Sequence, residues 1–366
     1  MENANTRNCR ADAIAGCLLG TAVGDALGLP AEGLTARRQR RLFPDPDGYR
    51  LLPGGRGLVS DDTEHACLVA QALVASAGGL ALFENRFARE LRLWLLLLPA
   101  GVGFATLRAT LRLLIGISPA RSGVFSAGNG PAMRAPLLGV CFGHHTIRLR
   151  ELVRTTTRIT HTDPKAEFGA LTVALAAHAM SAQKRPSAQR YLTRLARVLP
   201  PDEGFDLLRL AQRAAVSAAR GESTQTFAAE TLGLTYGVSG YVYHTVPVVL
   251  HAWFRYLATP GGDLRTVLQS VIRCGGDTDT TAAILGGILG AGIGRTGLSP
   301  GLLNGLAEWP RTVAWMERLA ERLAHVVETG APRPPLPLFL PSLAARNVFF
   351  LLVVLAHGFR RLAPPY

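Results

Sequence analysis

The chain has 366 residues, of which 48% are hydrophobic and only 7% aromatic, and its formal net charge is +13. A chain this apolar can bury a substantial core, as one large domain or two small ones. Scarce aromatics beside abundant alanine, leucine and glycine favour closely packed helices over a sheet. Arginine carries nearly all the positive charge, since Lys165 and Lys184 are the only lysines. Such a balance attracts nucleic acid, anionic lipid or phosphorylated ligands. No helix-turn-helix, zinc finger or aromatic-basic strand pattern accompanies it, so nucleic acid stays a minor candidate partner.

Five dispersed cysteines, Cys9, Cys17, Cys67, Cys141 and Cys274, fit neither a disulfide framework nor a thiolate zinc site. They point to a reducing, cytoplasmic setting. The N-terminus lacks the basic-then-apolar pattern of a signal peptide. The apolar stretches "LWLLLLPAGVGFATL" and "VFFLLVVLAHGF" fall short of the roughly 20 residues of a membrane span. No transmembrane segment is expected, and the second stretch reads as a buried last helix, with a peripheral lipid or partner contact as the alternative.

In chain order, residues 11–28 read as a helix on which Gly16, Gly20, Gly24 and Gly28 form a bare ridge, open to close approach by another helix. Residues 35–57, rich in Arg, Pro and Gly, read as a long loop. A helix starts near Asp62, and another covers 84–98. Residues 118–131 read as a loop leading into "AMRAPLLGVCF". Helices follow at 147–158, 164–182, 188–198, 202–220, 242–258 and about 263–273. The next opens at "CGGDTDTTAAILGG", where Ala282, Gly286, Gly290 and Gly294 form a second small-residue ridge. Two such ridges far apart in sequence predict one interleaved domain, spanning 1–330. "PRPPLPLFLP" reads as an extended linker to a C-terminal apolar segment, the two together occupying 331–366.

Two acidic doublets sit at helix starts: Asp61–Asp62 in "SDDT" and Asp277/Asp279 in "GDTDT". Helix capping explains one carboxylate or hydroxyl at each start; each motif supplies more. If the two starts meet, four carboxylates lie within about 5 Å, each pair repelling by roughly 3 kcal/mol at an effective dielectric near 20. Six pairs sum to about 20 kcal/mol, more than a domain's total stability. The cluster must then protonate or hold cations. Carboxylate and hydroxyl oxygens without thiolate favour Mg²⁺ or Mn²⁺, and ligands from two chain ends can hold two such ions.

Six pieces occur in order: "GCLLGTAVGDALGLPAE", "SDDT", "GNGPAMRAPLLG", "ITHTDP", "SGYVYHTVPVVLHAWF" and "CGGDTDTTAAILGG". Together, over about residues 11–295, they resemble the ADP-ribosylglycohydrolase family. The resemblance implies an all-α, orthogonally packed domain with a binuclear Mg²⁺ or Mn²⁺ site. It also implies hydrolysis of the glycosidic bond joining ADP-ribose to a protein side chain such as arginine or serine, a small molecule or a nucleic acid. The alternative is a non-catalytic ADP-ribose or nucleotide binder that keeps the fold.

Position by position, the resemblance implies metal ligands at Ser60, Asp61, Asp62, Asp277, Asp279 and Thr280. Serine at position 60 stands where the family often has threonine. Glu32 or Asp62 is implied as the proton-handling catalytic group, Glu32 otherwise pairing with Arg37, Arg38, Arg40 or Arg41. Gly128, Asn129, Gly130, Met133 and Arg134 match a phosphate and ribose loop, with Arg134 alternatively a structural partner. His161 is implied at the pyrophosphate or distal ribose, and Tyr241 as a stacking partner for adenine. Asp25 reads as a brace between helix ends, and His65, His244 and His251 as structural.

Overall fold

The computed structural model describes residues 2–43, 48–183, 185–259 and 261–362, with side chains from residue 9 onward. Lys184 and the last four residues of the expected C-terminal segment lie outside the described residues. The fold is all-α, as expected. The described residues include one two-stranded sheet of two residues per strand, pairing Leu34↔Gly276 and Thr35↔Gly275 antiparallel. The sequence gives these short strands no alternation to find.

The two glycine ridges meet. The N-terminal helix Glu2–Gly28 and the helix Thr278–Ile293 run antiparallel, backbone against backbone. A Cβ built on Gly16 would lie 2.3 Å from the Gly290 carbonyl oxygen, on Gly20 2.2 Å from that of Gly286, and on Gly24 2.0 Å from that of Ala282. On Gly28 it would lie 2.3 Å from that of Thr278. Any side chain would wedge the helices apart, so four turns of glycine are a packing requirement that outweighs their helix-propensity cost. The last of these contacts sets the end of the first helix against the start of the helix that bears Asp279.

Around this pair lie the helices Asp61–Ser76, Ala135–Phe142, Pro164–Ala182, Val242–Ala258 and Val313–Thr329. Gly139 repeats the device: its Cβ would stand 1.8 Å from the Ala174 carbonyl oxygen. One continuous core runs from Ile14 to Leu336.

Several expectations need correction. The segment expected as a loop over 35–57 contains the helix Ala36–Leu42, whose first turn is capped by the Thr35 hydroxyl accepting from the Arg38 amide at 3.3 Å. The expected loop at 118–131 carries the one-turn helices Pro119–Ser122 and Gly130–Met133. Helix Phe104–Leu114 falls where no helix is expected, and the helix that starts at the second acidic motif is followed later in the chain by Val313–Thr329. The proline-rich stretch is extended, but it is a strap rather than a free linker. The Gln71 side chain both donates to the Leu336 carbonyl (2.6 Å) and accepts from its amide (2.8 Å).

The last helix, Leu340–Arg360, is not the buried helix expected. Only 22% of its apolar window is covered by protein. It and the segment Cys9–Ala31 are long and apolar enough to cross a membrane by length and composition. The latter is 94% buried as the core of the domain. In the last helix, Leu343, Arg346, Asn347 and Phe350 face inward. Arg346 enters a buried charge network, donating to Glu308 Oε2 at 2.7 Å and to the Val59 carbonyl at 2.6 Å. Glu64 joins Arg346 (3.4 Å) and Arg311 (2.7 Å), and accepts from the Trp94 indole at 2.6 Å. Each charge there has an opposite partner, the condition under which burial is tolerable.

Candidate active site

The helix Asp61–Ser76 begins at Ser60, whose hydroxyl accepts from the Asp62 amide at 3.3 Å. Its start is held by Asp25, one residue past Gly24 on the first helix. Asp25 is fully buried and accepts from the Ser60 amide (2.9 Å), the Thr63 amide (3.1 Å) and the Thr63 hydroxyl (2.6 Å). This is the bracing role expected of it. The Thr278 hydroxyl donates to the Gly28 carbonyl at 2.8 Å and fixes the second acidic helix start to the same scaffold.

The two acidic motifs meet across this frame. Thr280 donates its hydroxyl to Asp62 Oδ2 at 3.2 Å, and Ser60 donates to the same oxygen at 3.1 Å. The second motif is shaped by Gly275 and Gly276, at φ +75° and +79°, where a side chain would be strained. A Cβ on Gly276 would also strike the Val238 carbonyl oxygen at 2.0 Å. The Asp277 amide then donates to that oxygen at 2.7 Å, and the Gly33 amide to the Gly276 carbonyl at 2.7 Å. Glu32 is thereby placed beside Asp277.

Above these residues opens a cavity of about 550 Å³. Glu32, Asp61, Asp277, Asp279 and Thr280 line one side, and Gly128, Asn129, Gly130, Met133 and His161 another. The Asn129 amide group joins the two sides, donating to Asp277 Oδ2 at 2.6 Å and to the Thr245 hydroxyl at 2.9 Å. The His161 ring lies against the loop: a Cβ on Gly128 would be 2.9 Å from its Nε2, and one on Gly130 3.2 Å from its Cε1. The glycines therefore leave the histidine edge and the loop backbone open to the cavity.

Four expected residues do not line the cavity. Asp62 (1% exposed) and Ser60 (4%) lie one layer beneath it. Arg134 is a structural strut and not a ligand contact. It is fully buried and donates to the Thr156 hydroxyl (3.1 Å) and carbonyl (2.7 Å) and the Thr160 hydroxyl (2.7 Å). Thr160 in turn meets His161 Nδ1 at 2.8 Å, so Arg134 fixes the histidine from behind. Tyr241 pairs by backbone with Gly128, but its ring lies beside Tyr243 and under Lys165 Nζ, 5.8 Å from the ring centre.

The cavity also uses residues the motifs did not single out: Gly101, Gly103, Phe104 and Thr106 on one wall, Val238, Ser239 and Gly240 on another. Phe104 is 73% exposed at the start of its helix. Two glycines just before an aromatic helix start were the available signal, hidden inside a stretch notable mainly for its apolarity. Outside the lining, Arg361 donates to the backbone carbonyls of Glu32 (2.6 Å) and Pro30 (2.7 Å).

Burial and mutual repulsion dominate the electrostatics. Asp61, Asp62 and Asp279 are pushed well above the usual carboxylate range, first by desolvation and then by one another, Asp25, Asp277 and Glu32. Asp25 is pushed up to about 7 by burial, against the pull of its hydrogen-bond donors. Glu32 is raised by desolvation and Asp277, with Arg361 opposing. His161 is lowered to about 3 by burial and then by Arg134, so it is neutral near pH 7. Asp62 Oδ1 and Asp279 Oδ1 are buried without a hydrogen-bond partner, a costly state for a carboxylate oxygen. Among the described residues, no three His, Cys, Asp or Glu side chains already form a closed metal cage. The donor set nevertheless fits hard divalent cations: orphaned carboxylate oxygens, adjacent hydroxyls and no thiolate.

The all-α scaffold brings two acidic helix starts together beneath one cavity. A model of ADP-ribosylglycohydrolase matches residues 6–333, and the chain belongs to that family. It is 30% identical to an uncharacterized protein of Archaeoglobus fulgidus, over 75% of this chain and 86% of the relative. It is 27% identical to ADP-ribosyl-[dinitrogen reductase] glycohydrolase of Rhodospirillum rubrum, over 81% and 90%. Human ADP-ribosylhydrolase ARH3 is also 27% identical, over 75% and 84%. A solved ADP-ribosylglycohydrolase-related protein complex superposes with a TM-score of 0.59 at 25% identity, covering 87% of this chain and 99% of that one. Family and relatives together support ADP-ribosylglycohydrolase activity.

Proposed function

We propose that the cavity cleaves the glycosidic bond of ADP-ribose from a modified acceptor with the help of two divalent cations, Mg²⁺ or Mn²⁺. One observation carries this reading: Thr280 and Asp62 are hydrogen-bonded across 218 residues of sequence, with unpartnered carboxylate oxygens on Asp62 and Asp279 beside them. Ser60, Asp61, Asp62, Asp277, Asp279 and Thr280 would hold the ions, the carboxylates turning from their present rotamers to do so. When bound, the ions supply charge stabilisation at the ribose and a water acidified toward neutral pH.

The chain's own groups do the rest. Glu32 lines the cavity, and burial together with the neighbouring Asp277 raises its pKa, so it holds a proton more readily than a free glutamate and is placed to deliver or remove one at the scissile bond. Asp62 is committed to Ser60 and Thr280 beneath the floor, which favours Glu32 over Asp62 for that role. Gly128, Asn129 and Gly130 present open backbone to a phosphate. Neutral His161 binds by hydrogen bonding rather than by charge. Phe104, not Tyr241, offers an exposed ring to a base at this cavity.

The Rhodospirillum relative's name favours a protein acceptor. Arginine, serine and nucleic-acid linkages are to be separated with a panel of ADP-ribosylated substrates assayed with and without Mg²⁺. Metal-dependent release of ADP-ribose from any member supports the reading; tight binding with no release from all of them replaces it with a nucleotide-binding role. Five free cysteines accord with the proposed cytoplasmic setting.

A further inference from the structure

The last helix, Leu340–Arg360, lies beyond the segment that the family model matches. Its inner face is anchored, whereas its outer face repeats large apolar residues at helical spacing. Val348 is 53% exposed, Leu352 60%, Leu355 49% and Phe359 69%. Leu351 and Leu362 widen the same stripe. A contiguous exposed apolar stripe of this kind marks an interaction surface.

We propose that this helix docks the protein in the plane of an anionic lipid surface. Three observations select that occupant. First, charge: residues 340–362 contain no Asp or Glu, and exposed Arg360 sits at the end of the helix. Against its C-terminal end lies the helix Ala36–Leu42, "ARRQRRL", which also has no carboxylate and exposes Arg37 and Arg40. The two are joined where Phe43 stacks on His357, ring centres 6.4 Å apart, and where Arg38 donates to the Arg361 carbonyl. An apolar stripe with arginines gathered at its C-terminal end complements acyl chains below anionic headgroups.

Second, the helix is set to lie on the membrane and not to cross it. Arg346 is locked between Glu308 and Glu64, and the Asn347 amide donates to the Leu97 carbonyl at 2.8 Å. Inserting the whole helix would extract that arginine from its buried partners. Third, a second copy of the chain answers the stripe less well, because neither helix carries a carboxylate to receive the other copy's arginines.

The test is co-sedimentation of the full chain with sucrose-loaded vesicles. Phosphatidylcholine vesicles are compared with vesicles containing about 30 mol% phosphatidylserine at low salt. The chain is expected to pellet with the anionic vesicles at least about tenfold more than with the neutral ones, and to be released by salt. Leu352→Glu and Arg37→Glu/Arg40→Glu should each weaken partition about tenfold, with the melting transition checking that they fold. Wild type left in the supernatant with anionic vesicles, or pelleting equally with neutral ones, overturns the proposal whatever the variants do. A wild-type dimer that Leu352→Glu turns into a monomer, with no vesicle binding, assigns the stripe to a second copy instead. None of these readouts involves hydrolysis, so they are independent of the proposed activity.

Discussion

Replacing Gly20 by alanine tests the scaffold on which the site depends, because two physical effects predict opposite signs. In an unconstrained helix, Gly→Ala stabilises by about 1 kcal/mol. Here the added Cβ would sit 2.2 Å from the Gly286 carbonyl oxygen, whereas ordinary contact begins at 3.4 Å. The helices must part by about 1 Å at that point, and the equally tight pairs at Gly16 and Gly24 leave no slack on either side. Overpacking of this kind costs about 1–3 kcal/mol or more. With backbone on both sides the upper end applies, leaving a net loss of about 2 kcal/mol after the propensity gain. Urea unfolding followed by circular dichroism should show a lower midpoint at unchanged slope. Gly358→Ala, where nothing lies within 4 Å, is the control and should be neutral or stabilising by up to about 1 kcal/mol. If Gly20→Ala is as stable as wild type or more so, the interlocked ridge does not hold the two acidic helix starts together and the argument fails.

Asp279→Asn should lower ADP-ribose release by orders of magnitude and abolish any stabilisation by Mn²⁺; unchanged kcat and an unchanged Mn²⁺ shift in melting temperature would remove it from the cation site. The raised carboxylates also give a signed pH effect. Asp25 titrates at about 7 in the folded chain against about 4 unfolded, so the stability it contributes is full below about pH 4 and is lost as pH rises to about 7. Asp61, Asp62 and Asp279 act in the same direction. Mn²⁺ should therefore raise the melting temperature more at pH 7.5 than at pH 5, and an equal or reversed increment in differential scanning fluorimetry would contradict this. Arg346→Ala strips Glu308 of its closest cation and should cost about 3–5 kcal/mol, read as a lower unfolding midpoint and early proteolysis of the last helix. Finally, a disulfide thiol reagent should react with Cys9 alone in the native chain, because the other four thiols are buried and burial pushes Cys67, Cys141 and Cys274 up to about 12. Rapid reaction of a second cysteine would mean the core opens.

Residue identity alone determined much of this protein. Glycine at every fourth position on two distant segments permits close helix approach whatever the surrounding fold. Acidic doublets flanked by hydroxyls at helix starts offer more oxygen ligands than one cap needs. Both statements follow from local chemistry, and so the helical class and the acidic residues at the cavity were readable from the sequence. The roles of Arg134 and Tyr241 were not, because an arginine in a binding motif and an arginine behind one have the same neighbours in the chain. Only the packing of Thr156, Thr160 and His65 around the guanidinium sets it behind the wall. Phe104 and Arg361 reach the cavity region from segments without a recognisable motif, the latter from a helix whose apolarity suggested burial. Hydrophobicity measures preference for leaving water, not whether a partner surface is at hand. With Arg346 claimed by buried carboxylates, the last helix can turn only one side to the domain, and tertiary structure alone decided which residues stayed outside.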